Sequence, residues 1–403
     1  MDAPPILFLA HRIPYPPNKG DKVRSHHFLR HLSARHRVFL GTFVDDPEDW
    51  AHEPELARWS TERCVLPLNP LSARLRSVMG LISGAPLTNP YYASRTLRGW
   101  VEDVIERERI QTAFVFSSSM AQYVMGATRL SRRVVDFVDL DSDKWRQYAE
   151  RQRPPMRWVY QREHRRLAQW ERQVAAECRI STFVSAAEAA LFCAGAPDPG
   201  AVHPLGNGVD LEYFDPSTEF RSPYATTAPV LVFTGAMDYW PNVDAVVWFC
   251  EQVMPLLRAR QPGLEFWIVG ANPTAAVEEL ADRPGVRVTG RVEDVRPYLR
   301  HADLAVAPLR IARGIQNKVL EAMAMGTPLV ASRAAFEGMQ LQPWMAPMCA
   351  ATEPQEYAER VVALLGSDAR GALVTEGRRW VGEHHSWQRN CSALEALLMD
   401  VEA

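Results

Sequence analysis

The sequence predicts an α/β protein built from two parallel-sheet domains, and three observations carry that prediction. The chain has 403 residues, too many for one ordinary core. Short apolar segments alternate with amphipathic helical segments through both halves, which is the βαβ rhythm of a parallel sheet. Several strands exit into glycine just before a helix begins, so helix N-termini gather at one sheet edge. A Pro-, Ser- and Thr-rich stretch over 215–228 reads as the linker. It sets a first domain at 1–214 apart from a second at 229–385. Ser386-Trp387 breaks the helical tail, and 386–403 reads as a crossover helix returning to the first domain.

In the first half Ile6–Ala10, Val38–Phe43, Arg63–Leu66, Thr112–Phe116, Val134–Val138, Ile180–Val184 and Val202–Pro204 read as strands. Lys22–Ala34 reads as the first helix, reached through the proline-stiffened loop His11–Asp21 that contains Tyr15, Lys19 and Gly20. Lys19, Lys22 and Arg24 are expected at the strand's carboxyl edge, where an anion would sit. A solvated turn is the alternative. After Val138 come Asp139, Asp141 and Asp143. If the chain stays extended, Asp139 and Asp141 point to one side, fit to act as a general base or to orient an acceptor hydroxyl. The alternative is helix capping, with Asp141 or Ser142 as N-cap. The following stretch, Lys144–Arg179, interleaves arginines with Trp145, Tyr148, Trp158, Tyr160 and Trp170. Cations with interfacial aromatics suit an anionic membrane surface, and a solvated helix face is the plainer alternative.

In the second half Val230–Thr234, Phe266–Val269 and Val286–Thr289 read as strands ending at Gly235, Gly270 and Gly290. Asn242–Leu257 reads as one long helix opened by Pro241. The segment that organises the rest runs from Pro308 to Ser332: a strand end, a turn at Gly314, a helical pattern from Ile315 to Met325, and a return at Pro328. The N–H groups and dipole at such a helix start are expected to make an anion site. Lys318 and Glu321, three apart, share one face. The cation suits a phosphate and the carboxylate a pair of sugar hydroxyls; a surface ion pair is the bland alternative.

Composition narrows the function. Hydrophobic residues make 47% and charged residues 23%, and the net charge is -3, a soluble globular profile with no field to recruit nucleic acid. Six scattered cysteines without a CxxC pair point to reduced thiols in a cytoplasmic protein and to no zinc site. The amino-terminal apolar run is broken by His11 and Arg12, as in a first strand and unlike a signal peptide. No uninterrupted apolar run reaches the ~18 residues of a membrane span. No G-x-G-x-x-G opens either half and no G-x-x-x-x-G-K-[ST] occurs, which weakens oxidoreductase and P-loop readings.

Asn207-Gly-Val-Asp210 with Phe214, Gly235-Ala-Met-Asp-Tyr-Trp-Pro-Asn242, and Asn317-Lys-Val-Leu-Glu-Ala-Met-Ala-Met-Gly326 with Pro328 resemble, in order and spacing, glycosyltransferase family four. The nearest resemblance is to bacterial sugar transferases of exopolysaccharide and exosortase-type systems. The resemblance implies a GT-B fold, with two Rossmann-like domains facing across a cleft. It implies a hexosyltransferase that moves a sugar, with retention, from a nucleotide-diphosphate sugar to a hydroxyl of a glycan or lipid-linked acceptor. Glu321 would then bind the donor ribose, and Gly314, Ile315, Gln316 and Asn317 would bring their amides to the diphosphate. Gly235 would line the donor pocket, Arg291 and Val292 would lie near the base, and Gly20 would face the phosphates. Lys318 and Arg24 are the cations expected to offset leaving-group charge, with no metal or other cofactor required. Tyr15, Lys19, Asp139 and Asp141 are the acceptor-side candidates, and Asp139 is the first candidate for a base.

The family's usual signature is Glu, seven residues, Glu, and Arg313 stands where the first Glu belongs. That exchange removes a hydroxyl acceptor and supplies a cation for the β-phosphate or for an acidic sugar. Two other functions remain compatible with the sequence. A GT-B nucleotide-sugar epimerase would consume donor without acceptor, and a non-catalytic nucleotide-binding or scaffold protein of the same fold would turn over nothing.

Overall fold

A computed structural model describes residues 3–17, 20–196, 200–312, 315–336, 339, 341–350, 353–368 and 370–399. Lys19, Arg313 and Gly314 therefore lie outside the described residues. The chain forms two compact units. One runs to Gly206 and takes in the chain from Asn390 onward; the other is Asn207–Arg389.

The first unit holds a seven-stranded sheet: β1 (Pro5–Ala10), β2 (Arg37–Val44), β3 (Glu62–Pro67), β4 (Thr112–Phe116), β5 (Arg132–Val138), β6 (Arg179–Phe183) and β7 (Ala201–Pro204). The order is β3-β2-β1-β4-β5-β6-β7, and every pairing is parallel. Ile6 to Ala10 are fully buried, as expected for a central strand covered on both faces. The sheet grows outward in both directions from β1 and β4. Ligands of open α/β sheets bind beyond the carboxyl ends at such a switch point.

The helix Gly20–Ser33 buries the face carrying Lys22, Arg24, Ser25, His26, Phe28, Leu29 and Leu32, and this overturns one expectation. Lys22 Nζ lies 2.8 Å from Asp49 Oδ1. Arg24 donates from Nε and Nη2 to the two oxygens of Asp136 at 2.6 and 3.1 Å, and from Nη1 to the Gly206 carbonyl at 3.1 Å. Its guanidinium also sits 4.9 Å from the Phe28 ring centroid. Both cations are thus inside the unit with carboxylate partners, because helical spacing puts them on the stripe that faces the sheet. Neither is a free cation at the edge.

The second unit has six parallel strands: β8 (Val230–Thr234), β9 (Glu265–Val269), β10 (Val286–Val288), β11 (Leu304–Ala307), β12 (Leu329–Ser332) and β13 (Cys349–Ala350). Their order is β10-β9-β8-β11-β12-β13, so the switch point lies between β8 and β11. The long helix expected from Asn242 is continuous, with a wide π turn over Phe249–Val253 between the α-helical stretches Trp240–Trp248 and Met254–Arg260. Pro255 accounts for the π turn, since it has no N–H to give to the preceding turn. Residues 215–228 differ from a free linker. Phe214 is in the second unit's core, and Phe220 and Tyr224 pack against it, so the apolar residues tie this stretch to the second unit.

Removing Arg24 would strand Asp136 in the sheet interior. Arg24→Ala is expected to cost about 3–5 kcal/mol, read as a lowered urea midpoint for the first unit; an unchanged midpoint would contradict the buried-pair assignment.

Candidate functional site

The carboxyl edge of the second sheet gathers the groups with the strongest chemistry. β8 ends at Gly235 and β9 at Gly270, with φ of 155° and 159°. A Cβ on Gly270 would stand 1.6 Å from the Gly235 carbonyl oxygen, so the two strand exits touch through bare backbone. A Cβ on Gly235 would lie 2.7 Å from Asn242 Nδ2 and 3.1 Å from Lys318 Nζ. Glycine here opens the space that those two side chains fill.

Across the switch point, β11 leads to the helix Asn317–Ala324, whose N-cap Gln316 is extended and makes no side-chain cap. Asn207 reaches Asn317 with an amide hydrogen bond of 3.3 Å. Lys318 Nζ donates to Asn242 Oδ1 at 2.6 Å and rests 4.0 Å from the Phe233 ring centroid, a cation–π distance. Burial pushes the Lys318 ammonium well below the usual lysine range, opposed by Glu321. Burial likewise pushes the Glu321 carboxyl up, opposed by Lys318. Both remain half-buried rather than sealed, so each can meet a ligand. The Glu321 carboxylate accepts no hydrogen bond from the described residues, while its backbone carbonyl accepts from Met325 N at 2.9 Å. Such a carboxylate, three residues from a desolvated ammonium at a helix start, is placed to accept from a polar ligand.

Other expected positions on this unit are less committed. Ile315 and Val292 pack against the core, and Arg291 is exposed. The charge of Glu321 also acts on Tyr213. Arg296 lies 3.8 Å from the Tyr213 ring centroid and is paired with Asp294 at 2.7 Å. Asn242, Phe233, Asn207 and this Tyr213–Asp294–Arg296 group were missed as site residues by sequence reasoning. Asn242 had a signal: it closes the Gly235–Asn242 motif, but its position at a helix start was explanation enough.

In the first unit, the switch point presents His11, stacked 5.5 Å from the Phe116 ring, with Nε2 3.5 Å from Asp21. Burial alone would raise the Asp21 carboxyl, but His11 and Arg12 hold it well below its usual range. Gly20 opens the helix beside this group, and a Cβ there would meet nothing within 4 Å. Tyr15 is half-buried among His26, His52 and Trp59.

The aspartates after β5 do converge, though by a different route from the one expected. The chain does not stay extended: Val138 has φ of 67°, a costly conformation for a β-branched residue. Asp139 and Asp141 then grip the same ammonium, Lys144 Nζ, at 2.9 and 3.0 Å. The helix Asp141–Arg151 begins after Leu140 with no local side-chain cap, so neither Asp141 nor Ser142 is the N-cap. Buried glutamates from other helices supply that role: Leu140 N donates to Glu188 at 2.7 Å and Ser142 N to Glu171 at 3.1 Å. Burial pushes Glu171 up to about 8.

Residues 228–367 match the family model described as glycosyl transferases group 1. D-inositol 3-phosphate glycosyltransferase 2 of Catenulispora acidiphila is 29% identical over 222 residues, covering 51% of this chain and 51% of that protein. The chain thus spans about half the length of the curated relatives it matches. A glycosyltransferase from Rickettsia africae has a similar structure, with TM-score 0.68, 13% identity and coverage of 100% of this chain and 99% of that one. Anabaena HepE, solved in complex with UDP, has TM-score 0.66 at 14% identity, covering 99% and 100%. At these identities the structural likeness establishes the fold, which is GT-B.

The glycine exits give a graded test. Gly290 has φ of 68°, and a Cβ there would meet nothing within 4 Å, so Gly290→Ala is expected to cost only about 1–2 kcal/mol of left-handed strain. Gly270→Ala adds a collision with the Gly235 carbonyl, and should lower the thermal midpoint further. Equal shifts for the two variants would contradict the close strand contact.

Proposed function

We propose that this GT-B protein, whose second unit matches the glycosyl transferases group 1 model, transfers a hexose from a nucleotide-diphosphate sugar to a hydroxyl acceptor. The observation that carries the reading is the half-buried Lys318–Glu321 pair at the start of the helix Asn317–Ala324, set at the switch point of a parallel sheet. A diphosphate would meet the positive end of the helix dipole and the Lys318 ammonium. A ribose would give the Glu321 carboxylate the hydrogen bonds it lacks. The gain is largest where leaving-group charge develops, so this end of the site acts on the transition state. The UDP complex of Anabaena HepE supports a nucleotide donor by likeness of fold.

Retention is part of the proposal, with the leaving phosphate taking the acceptor proton at the front face. Asp139 supports the absence of a dedicated base, because its carboxylate is paired with Lys144. Arg24 has no place in donor binding here, since Asp136 neutralises it inside the first unit. The acceptor is proposed to be a glycan or lipid-linked glycan of polysaccharide synthesis. No metal is assigned a part.

A peripheral position on an anionic membrane belongs to the same proposal. No described helix is long and apolar enough to cross a membrane. The first unit does expose Trp158 at 65%, Leu71 at 75% and Leu75 at 73%, and Arg74, Arg153, Arg157 and Arg165 beside them in sequence are also exposed. Apolar side chains that enter the interface next to arginines that meet phosphates are what such a contact needs.

Titration with UDP, GDP, ADP and CDP by ligand-observed NMR tests the donor site. One nucleotide is expected to bind at micromolar to low-millimolar strength, and Glu321→Ala to weaken it by about tenfold or more; no binding to the wild-type protein would reject the reading. Sedimentation with phosphatidylglycerol-containing liposomes tests the surface. Binding should rise with anionic lipid, fall with salt and drop in Trp158→Ala, and binding indifferent to all three would reject it.

A further inference from the structure

We propose that Asn242 is a positioning residue for the donor diphosphate: it fixes the Lys318 ammonium in place through an uncharged acceptor, so that the group that holds the cation does not neutralise it ahead of the phosphates. The inference rests on the donor reading above and goes beyond it, by assigning work to a side chain that touches no substrate.

Four observations carry it. Asn242 Oδ1 accepts from Lys318 Nζ at 2.6 Å, and Asn242 Nδ2 donates to the Ala236 carbonyl at 2.9 Å. An ammonium can only donate and a carbonyl can only accept, so the two contacts together set which way the amide faces. Asn242 itself is 6% exposed and sits on the first turn of the helix Trp240–Trp248, so it is anchored on a rigid element. Gly235 completes the arrangement, because a side chain there would meet both Asn242 and Lys318.

The choice of amide over carboxylate is the informative part. An aspartate of the same shape would hold the ammonium at least as tightly, through a charge-assisted bond. It would also cancel the charge. Lys318 would then offer a diphosphate little more than a neutral pair, and the field at the helix start would fall. With Asn242 below and the Phe233 ring alongside, the ammonium is confined by neutral groups. Among the described residues, Glu321 on the same helix is the charged group that acts on it, and no hydrogen bond joins the two side chains. The structure therefore separates holding the lysine from neutralising it.

The test compares wild type, Asn242→Ala and Asn242→Asp by two measurements: the titration of Lys318 Nζ followed by NMR in the ligand-free protein, and the affinity for UDP, GDP, ADP and CDP. Asn242→Ala removes an acceptor that favours the charged amine, so the titration should move down. Asn242→Asp adds a partner charge, so it should move up. Nucleotide affinity should fall in both, by roughly tenfold or more. The opposite signs in titration with the same sign in affinity separate positioning from a general loss of fold. If neither titration moves, Asn242 does not position Lys318, whatever the nucleotides do. If the titrations move as stated and affinity does not follow, or wild type binds none of the four, the diphosphate assignment fails and the proposal fails with it.

Discussion

Desolvation of the Lys318–Glu321 pair is the constraint on which the second unit's edge depends. An ammonium and a carboxylate at a half-buried helix start lose much of their hydration, and the pair offsets only part of that loss. Burial works against both charges at once. A protein that needed only a stable helix end would place apolar residues there. Keeping both groups in that position makes sense when a ligand with its own charge and hydroxyls completes the hydrogen bonding.

The surrounding structure serves that pair by subtraction. Gly235 and Gly270 remove side chains where β8 and β9 meet, and the bare backbone lets Asn242 and Lys318 close over the strand end. The first unit uses charge in the opposite way. Lys22 and Arg24 are matched by Asp49 and Asp136 and hold helix to sheet. Cations in the same kind of position, after a central strand, are thus bonded to carboxylates in one unit and to an uncharged amide in the other. The difference lies in the partner: a carboxylate cancels the charge it holds, whereas an amide does not.

The acidic run after β5 shows how a local motif can be read correctly in its outcome and wrongly in its route. Alternation in an extended strand would have brought Asp139 and Asp141 together, and they do meet, at Lys144. They meet because Val138 turns the chain and the helix follows at once. The caps come from Glu171 and Glu188, tens of residues away in sequence. Capping is a contest among all nearby acceptors, and only those from the same stretch are visible to a sequence pattern.

Period and punctuation were enough to read the strands apart from the two-residue β13, their parallel character and the helix that carries Lys318 and Glu321. Apolar runs of strand length, glycine exits and helical spacing are local properties, and the backbone obeys them locally. Three-residue spacing alone put Lys318 and Glu321 on one face. The tertiary structure decided which cations are free. Lys22 and Arg24 look like Lys318 in sequence, and what separates them is whether Asp49, Asp136 or Asn242 lies within hydrogen-bond reach. Those partners come from 27, 112 and 76 residues away. Electrostatic availability is a property of the whole neighbourhood, because burial and partner charge set it together, and no stretch of sequence contains both.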